Sequence, residues 1–261
     1  MKSSANKLGV FISKEFTENL RTKRVLVLAC VYTFLAITSV LLARFSAELM
    51  TALLANDPSG LVIQMPDPVW VDSYAQLFSN LSEMGNIAVI MLFIGIVLRE
   101  KNTGTIDMMF SKGLSPTVFV LAKFAVAVAI VLLLLFISIF VAYGYTFVLF
   151  EYAGHIGNVL MGGLVFGSFV VMLLAIVMFW STVANSTAIS AVLGIVSYFA
   201  IIFLNLIPVV GRFMPAHLAG HGAMLAMGEV PEHIGIQIGV ALVIAALALV
   251  ASIHILRNRD A

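Results

Sequence analysis

The chain has 261 residues, 62% of them hydrophobic and 10% charged, with a formal net charge of +1. Its mean hydropathy of +1.11 excludes a soluble domain, which could not hide that much apolar surface. In lipid the backbone must pair with itself, and long apolar runs without period-two alternation exclude a barrel, so the class is all-α and polytopic. The net charge says nothing about nucleic acid, and no nucleic-acid partner is expected. Cys30 is the sole cysteine and sits inside an apolar run, so no intrachain disulfide or thiolate metal cluster is possible.

Residues 1–23 are polar and basic and too long for a signal-peptide leader, so the run after them reads as an uncleaved first span. Leu8, Phe11, Ile12 and Phe16 recur at helical spacing among Lys7, Lys14, Glu15 and Glu18. That pattern predicts an amphipathic helix lying in the membrane interface, against lipid, rather than a plain extension. Six spans follow, at 25–43, 84–98, 117–150, 158–180, 187–206 and 233–256. The segment between spans 1 and 2 contains Pro58, Pro66 and Pro68, with short helices expected at Leu49–Leu54 and Val69–Leu81. Span 2 is short for a hydrocarbon core of about 30 Å, so its helix should begin in that preceding segment. Residues 208–232, rich in Gly, Pro and His, form a second outer segment.

Residues 99–115 interrupt two apolar runs with charge. Thr103 or Thr105 can cap a short helix there, and Gly113 can end it in a left-handed turn. Ser115-Pro116 then supplies an N-cap and a first helical residue for span 3. Ile106, Met109 and Phe110 fall on one face of the short helix. Such a helix suits docking to a soluble partner, although an ordinary solvated loop would show the same local pattern. Under this topology only Arg44 and Arg212 lie on the side opposite all the other Lys and Arg residues. The positive-inside rule then makes both termini and the 99–115 loop cytoplasmic.

No phosphate-cradling Gly-x-x-x-x-Gly-Lys-Ser/Thr loop, zinc His-Glu-x-x-His or Gly-x-Ser-x-Gly elbow occurs. No Asp, Glu, Lys or Arg is expected near mid-membrane, which argues against an ion-driven carrier and against intramembrane acid–base catalysis. His217 and His221 have the spacing of a helical ligand pair, but no carboxylate or Cys stands at ligand spacing, so no metal is expected. Gly163-x-x-x-Gly167 and Gly235-x-x-x-Gly239 permit close helix approach. Ser197, Tyr198 and Asn205 on span 5 are candidates to line a polar path or, equally, to be satisfied by neighbouring backbone. Asn80-Leu81-Ser82 matches a glycosylation sequon, a triplet frequent by chance.

Taken together, these features resemble the permease subunit of ABC-2 type (type V exporter-like) ABC transporters over nearly the whole chain. Lys14-Glu15-Phe16 and Leu20-Arg21-Thr22-Lys23-Arg24 are similar to the family's elbow helix entering span 1. Glu100, Gly104-Thr105, Met108-Met109, Ser111, Leu114-Ser115-Pro116 and Lys123 resemble its coupling loop, with Asn102-Thr103 and Met108-Met109-Phe110 departing from the usual residues. Residues 179–185 resemble its turn between spans 4 and 5, and Pro215 sits where the family often places re-entrant helices.

The resemblance implies an exporter permease, six spans with an N-terminal elbow helix and a cytoplasmic coupling helix, in a bacterial or archaeal cell membrane. It implies that Glu100, Gly104, Thr105, Ile106, Asp107, Met109 and Phe110 couple to a separate ABC ATPase subunit. Phe11, Lys14, Glu15, Phe16 and Arg21 would belong to the elbow. ATP and Mg would be bound by that partner and no cofactor by this chain, which would not itself be an enzyme. A second permease subunit, identical or a paralogue, would complete the path, with spans 1, 2 and 5 at the seam. Substrates would be hydrophobic or amphipathic: lipid, peptide, drug or polymer. A non-transporting sensor or assembly component on the same scaffold is the alternative.

Overall fold

The computed structural model describes residues 13–19, 21–54 and 67–258, together with Gly9. Phe11 and the other elbow positions before 13, most of the segment between spans 1 and 2, and the last three residues lie outside the described residues. Among the described residues no strand occurs, and six helices are long and apolar enough to cross a membrane. The protein is an all-α polytopic membrane protein.

A short helix, α1 (13–19), precedes α2 (Arg24–Leu54). The latter runs unbroken through Leu49–Leu54, where a separate short helix was expected. The second crossing is assembled from α3 (Trp70–Asn80), a π-helical turn (Leu81–Gly85), α4 (Asn86–Phe93) and α5 (Leu98–Asn102). Together these make a 33-residue span. Its start at Trp70 uses Asp72, whose carboxylate accepts from the Val69 backbone N–H at 2.8 Å.

The loop helix α6 (Thr105–Ser111) follows, then α7 (Pro116–Phe150), α8 (Ile156–Val183) and α9 (Thr187–Leu204). Two short helices, α10 (Pro208–Gly211) and α11 (His217–Ala226), lead to α12 (Ile234–Asn258). Ser115 caps α7 as its sequence predicts: its hydroxyl accepts from the Val118 N–H at 3.3 Å, with Pro116 as the first helical residue.

The core sits around α8, which is buried over most of its length and is packed by α7, α9, α11 and α12. Phe166, Phe169, Leu173 and Val177 give it an apolar surface with no exposure to solvent or lipid. Gly163 and Gly167 lie against Ile139 and Leu132 of α7, so this small-residue pair packs helices within the chain. Gly235 and Gly239 face open space. The segment between spans 5 and 6 folds back against α8 and α3. A Cβ at Gly162 would lie 2.6 Å from the Gly222 carbonyl oxygen, so α11 reaches this depth only because both residues are glycine. By contrast α2, α9 and α12 keep broad exposed apolar faces, with Phe34, Phe203 and Leu247 about two-thirds exposed.

The long second span overturns one expectation. Glu83 lies well inside it, on the π-helical turn, and its side chain is exposed. The sequence reading assigned Glu83 to the outer segment because polar and proline residues precede it. The helix nonetheless starts at Trp70, two residues after the last of those prolines, so Glu83 lies within a helical segment long and apolar enough to cross a membrane.

Candidate functional site

The densest chemistry lies where the end of span 2, α1 and the start of α7 meet. Glu15 on α1 is 2% exposed and Lys123 on α7 is 3% exposed. The Lys123 Nζ donates to Glu15 Oε2 at 2.7 Å and lies 3.1 Å from Glu100 Oε1 on α5. Lys14 Nζ adds contacts of 3.3 Å to both Glu15 and Glu100, and of 3.5 Å to Glu18. Burial by itself would lower the Lys14 ammonium pKa, but Glu100, Glu15 and Glu18 outweigh it and hold the group above its usual range. All ion pairs between described residues belong to this one cluster.

Three elements that are far apart in sequence are thereby pinned together. Amphipathic spacing on α1 alternates Glu15, turned inward, with Phe16, 43% exposed. The Asn19 side chain locks that turn by donating to the Glu15 carbonyl at 2.9 Å. Arg21 is exposed and lines an open cleft of about 450 Å³ together with Lys14, Glu18 and Arg99. Glu15, Glu18 and Glu100 bring carboxylate oxygens within 4.8 Å of one another, the arrangement a cation would need. Here Lys14 and Lys123 already contact all three carboxylates, so the cluster is held by side chains of the protein itself.

A second clasp holds the same stretch from the other side. The helix of span 2 breaks between α4 and α5, which frees the backbone N–H groups of Val97 and Leu98. Both donate to the Ser181 hydroxyl on α8, at 3.0 and 3.1 Å. Lys101 then reaches over the end of α8, donating to the carbonyls of Thr182 at 3.3 Å and Ala184 at 3.1 Å. A cation suits those carbonyls, which form the negative end of the helix dipole. Residues 179–185, expected as a plain turn, therefore anchor the loop.

Between the clasps stands α6. Gly104 at φ +68° starts it and Gly113 at φ +83° ends it. The predicted threonine cap is replaced: Gly104 is the N-cap, and Thr103 turns its hydroxyl back to the Arg99 carbonyl at 3.1 Å. Thr105 pairs with the Thr103 hydroxyl at 2.7 Å. Ile106 is 1% exposed, and Met109 and Phe110 pack on the core. The Phe110 ring meets Phe119 edge-on at 5.8 Å, and the Lys123 ammonium lies 5.3 Å from the Phe119 centroid. The apolar face of α6 thus packs against its own chain. Gly104, Asp107, Met108, Ser111 and Lys112 form the open face, with Met108 58% exposed.

The span 5 candidates are drawn inward. Ser197 accepts from the Trp180 indole N–H at 2.7 Å, and the Tyr198 hydroxyl donates to the Ser82 carbonyl. Asn205 keeps a buried side-chain oxygen with no hydrogen bond among the described residues. At the opposite end, His217 and His221 stack at 5.9 Å, and His221 Nε2 lies 2.9 Å from Gln237 Oε1. Burial holds the His221 imidazole below the usual histidine range.

This is a transmembrane bundle with a keyed loop between spans 2 and 3, and a family profile agrees with it: the ABC-2 family transporter protein matches residues 6–254. The chain belongs to the ABC-2 transporter family. No individually curated protein matches it. As an ABC-2 permease it is a membrane transport component and not itself a catalyst, and permeases of this family normally work with an ABC ATPase.

Sequence reasoning singled out Glu100 and Lys123 separately, through the family's loop pattern, but assigned Glu100 to a surface. Ser181 was noted only as part of the turn after span 4 and Lys101 only as a loop charge, because a clasp is visible only when the span 4 end and the span 2 end are adjacent.

Proposed function

We propose that this chain is the membrane subunit of an ATP-driven exporter, driven by a separate ATPase subunit that docks on the open face of α6. ATP and Mg belong to that partner. A second permease subunit, an identical copy or a paralogue, completes the path. Both termini and α6 face the cytoplasm of a cell membrane, in keeping with the basic residues gathered at that end.

The observation that supports this reading is the double clasp behind α6. A load applied to Asp107 or Met108 passes through Phe110 and Phe119 to α7, through Glu100 to α1 and α7, and through Lys101 to the end of α8. Buried ion pairs are costly to break one partner at a time, by about 3–5 kcal/mol, so the joined elements move as one body. Rigid-body displacement is what converts closure of an engine at the membrane face into tilting of spans.

The test is co-expression with the candidate ATPase subunit, followed by purification on the permease. A stable complex is expected, with nucleotide hydrolysis that changes when the permease is present. Asp107→Lys on the open face should abolish association while leaving thermal stability within about 0.5 kcal/mol of the parent. Retained association in that variant would show that α6 is not the docking surface. Hydrolysis without movement of any substrate in reconstituted vesicles would turn the reading toward a sensor.

A further inference from the structure

This inference rests on the transport reading above and adds a substrate class to it. It begins with Glu83. Arg24 and Arg44 bracket about 30 Å of α2, one hydrocarbon thickness at 1.5 Å per residue. Ser39 lies about 8 Å inside the Arg44 boundary on that scale. The Asn80 side chain donates to the Ser39 hydroxyl at 2.8 Å, which fixes Asn80 at the same depth. Span 2 runs antiparallel to α2, so Glu83, three residues on, lies about 12 Å below the boundary. An exposed carboxylate at that depth is unfavourable against lipid, and such groups face a water-filled or occupied path.

Among the described residues no ion pair neutralises Glu83; the Ser79 hydroxyl donates to its Oε1 at 3.3 Å. Among the described residues of span 1 and span 2 the basic side chains stand at the helix ends, at Arg24, Arg44, Arg99 and Lys101, and Lys123 is held by Glu15 and Glu100. A bound cation would supply the positive charge that Glu83 lacks there.

The surroundings give the rest of the ligand. A groove of about 390 Å³ runs between α3 and α11, with Ala75, Phe78, Ala219 and Ala223 among its walls. Ser79 and Ser82 belong to the same groove, so the hydroxyl that steadies Glu83 also lines the apolar cleft. The π-helical turn at Leu81–Gly85 carries both Ser82, which lines the cleft, and Glu83, whose Oε1 lies 3.3 Å from the Ser79 hydroxyl of the same lining; such turns are frequent at functional sites. We infer that Glu83, steadied by Ser79 at the foot of the α3–α11 groove, binds the cationic head of an amphiphilic substrate whose apolar part lies in the groove.

The probe is radiolabelled tetraphenylphosphonium, a lipophilic cation, bound to the purified full chain at pH 7.5 and read by scintillation proximity. Tetraphenylborate, of the same shape and opposite charge, is the competitor. Saturable binding is expected, displaced by unlabelled cation and not by the borate. Glu83→Gln should weaken it about tenfold or more, and Glu83→Asp about threefold or less, as loss and retention of a charge pair predict. Gly220→Leu, whose new side chain begins in open space, fills the groove and should weaken binding with Glu83 intact.

Absence of saturable binding, equal competition by the borate, or Glu83→Gln binding within about twofold of the parent overturns the inference. Should Glu83→Gln fail to elute as a single species, Glu83→Asp and Gly220→Leu decide: unchanged affinity in Gly220→Leu overturns it. ATPase association is scored separately. Glu83-dependent binding without any ATPase partner upholds the site and removes the transport reading; association with charge-blind binding does the reverse.

Discussion

The basic end of span 2 and its middle treat charge in opposite ways. At the end, Glu100 is buried and shares Lys123 with Glu15 and Lys14 with α1, so its charge is answered within the chain. In the middle, Glu83 is exposed, steadied by one serine, and has no cation among the described residues. The same side chain thus serves rigidity in one place and availability in the other. What separates them is the neighbourhood. Two lysines from other elements converge on Glu100, whereas around Glu83 the neighbouring helices offer alanines, hydroxyls and a phenylalanine.

Three substitutions sharpen or break that contrast. Lys123→Met should have the largest effect, destabilising by about 3–5 kcal/mol because it leaves Glu15 and Glu100 buried with only the half-exposed Lys14 as a cation. Thermal unfolding of the purified protein checks this. Adding Glu15→Gln and Glu100→Gln to Lys123→Met should recover most of the loss, and failure to recover would mean that Lys123 acts by packing alone. Ser181→Ala comes next, at about 1–3 kcal/mol, since two backbone N–H groups at the helix break lose their acceptor. Exchange of the Val97 and Leu98 amides, followed by mass spectrometry, should speed up selectively. Glu83→Gln should be nearly silent in the same melting assay, within about 0.5 kcal/mol, because no internal partner is lost. A loss as large as that of Lys123→Met would erase the distinction between the two carboxylates.

Much of the loop was legible. Ser115-Pro116 and Gly113 are local signals that depend on backbone conformation and one or two neighbours, and both appear as read. The threonine cap failed because Gly104 reaches a left-handed start that a threonine would resist, which leaves both hydroxyls to bond elsewhere. The face of α6 was read as three apolar residues on one side, correctly grouped, but periodicity does not say whether a stripe meets a partner or its own core. Glu83 was placed in the outer segment because polar residues sit among the apolar ones before Met84, whereas the helix runs on through them from Trp70. Asn80 is accommodated inside the helix by its bond to the Ser39 hydroxyl, and Asn86 by one to the backbone carbonyl of Ser82.

The sequence by itself determined a helical membrane protein with six crossings and its basic residues gathered at one end, because hydropathy over a span and charge at its ends act residue by residue. Only the tertiary structure decided which charges are spoken for. The partners of Glu100 come from α1 and α7, and those of Lys101 from the end of α8. A pairing across such separations exists only once helices have packed, since the energy of a charge depends on what lies within a few ångströms of it and not on its neighbours in the chain.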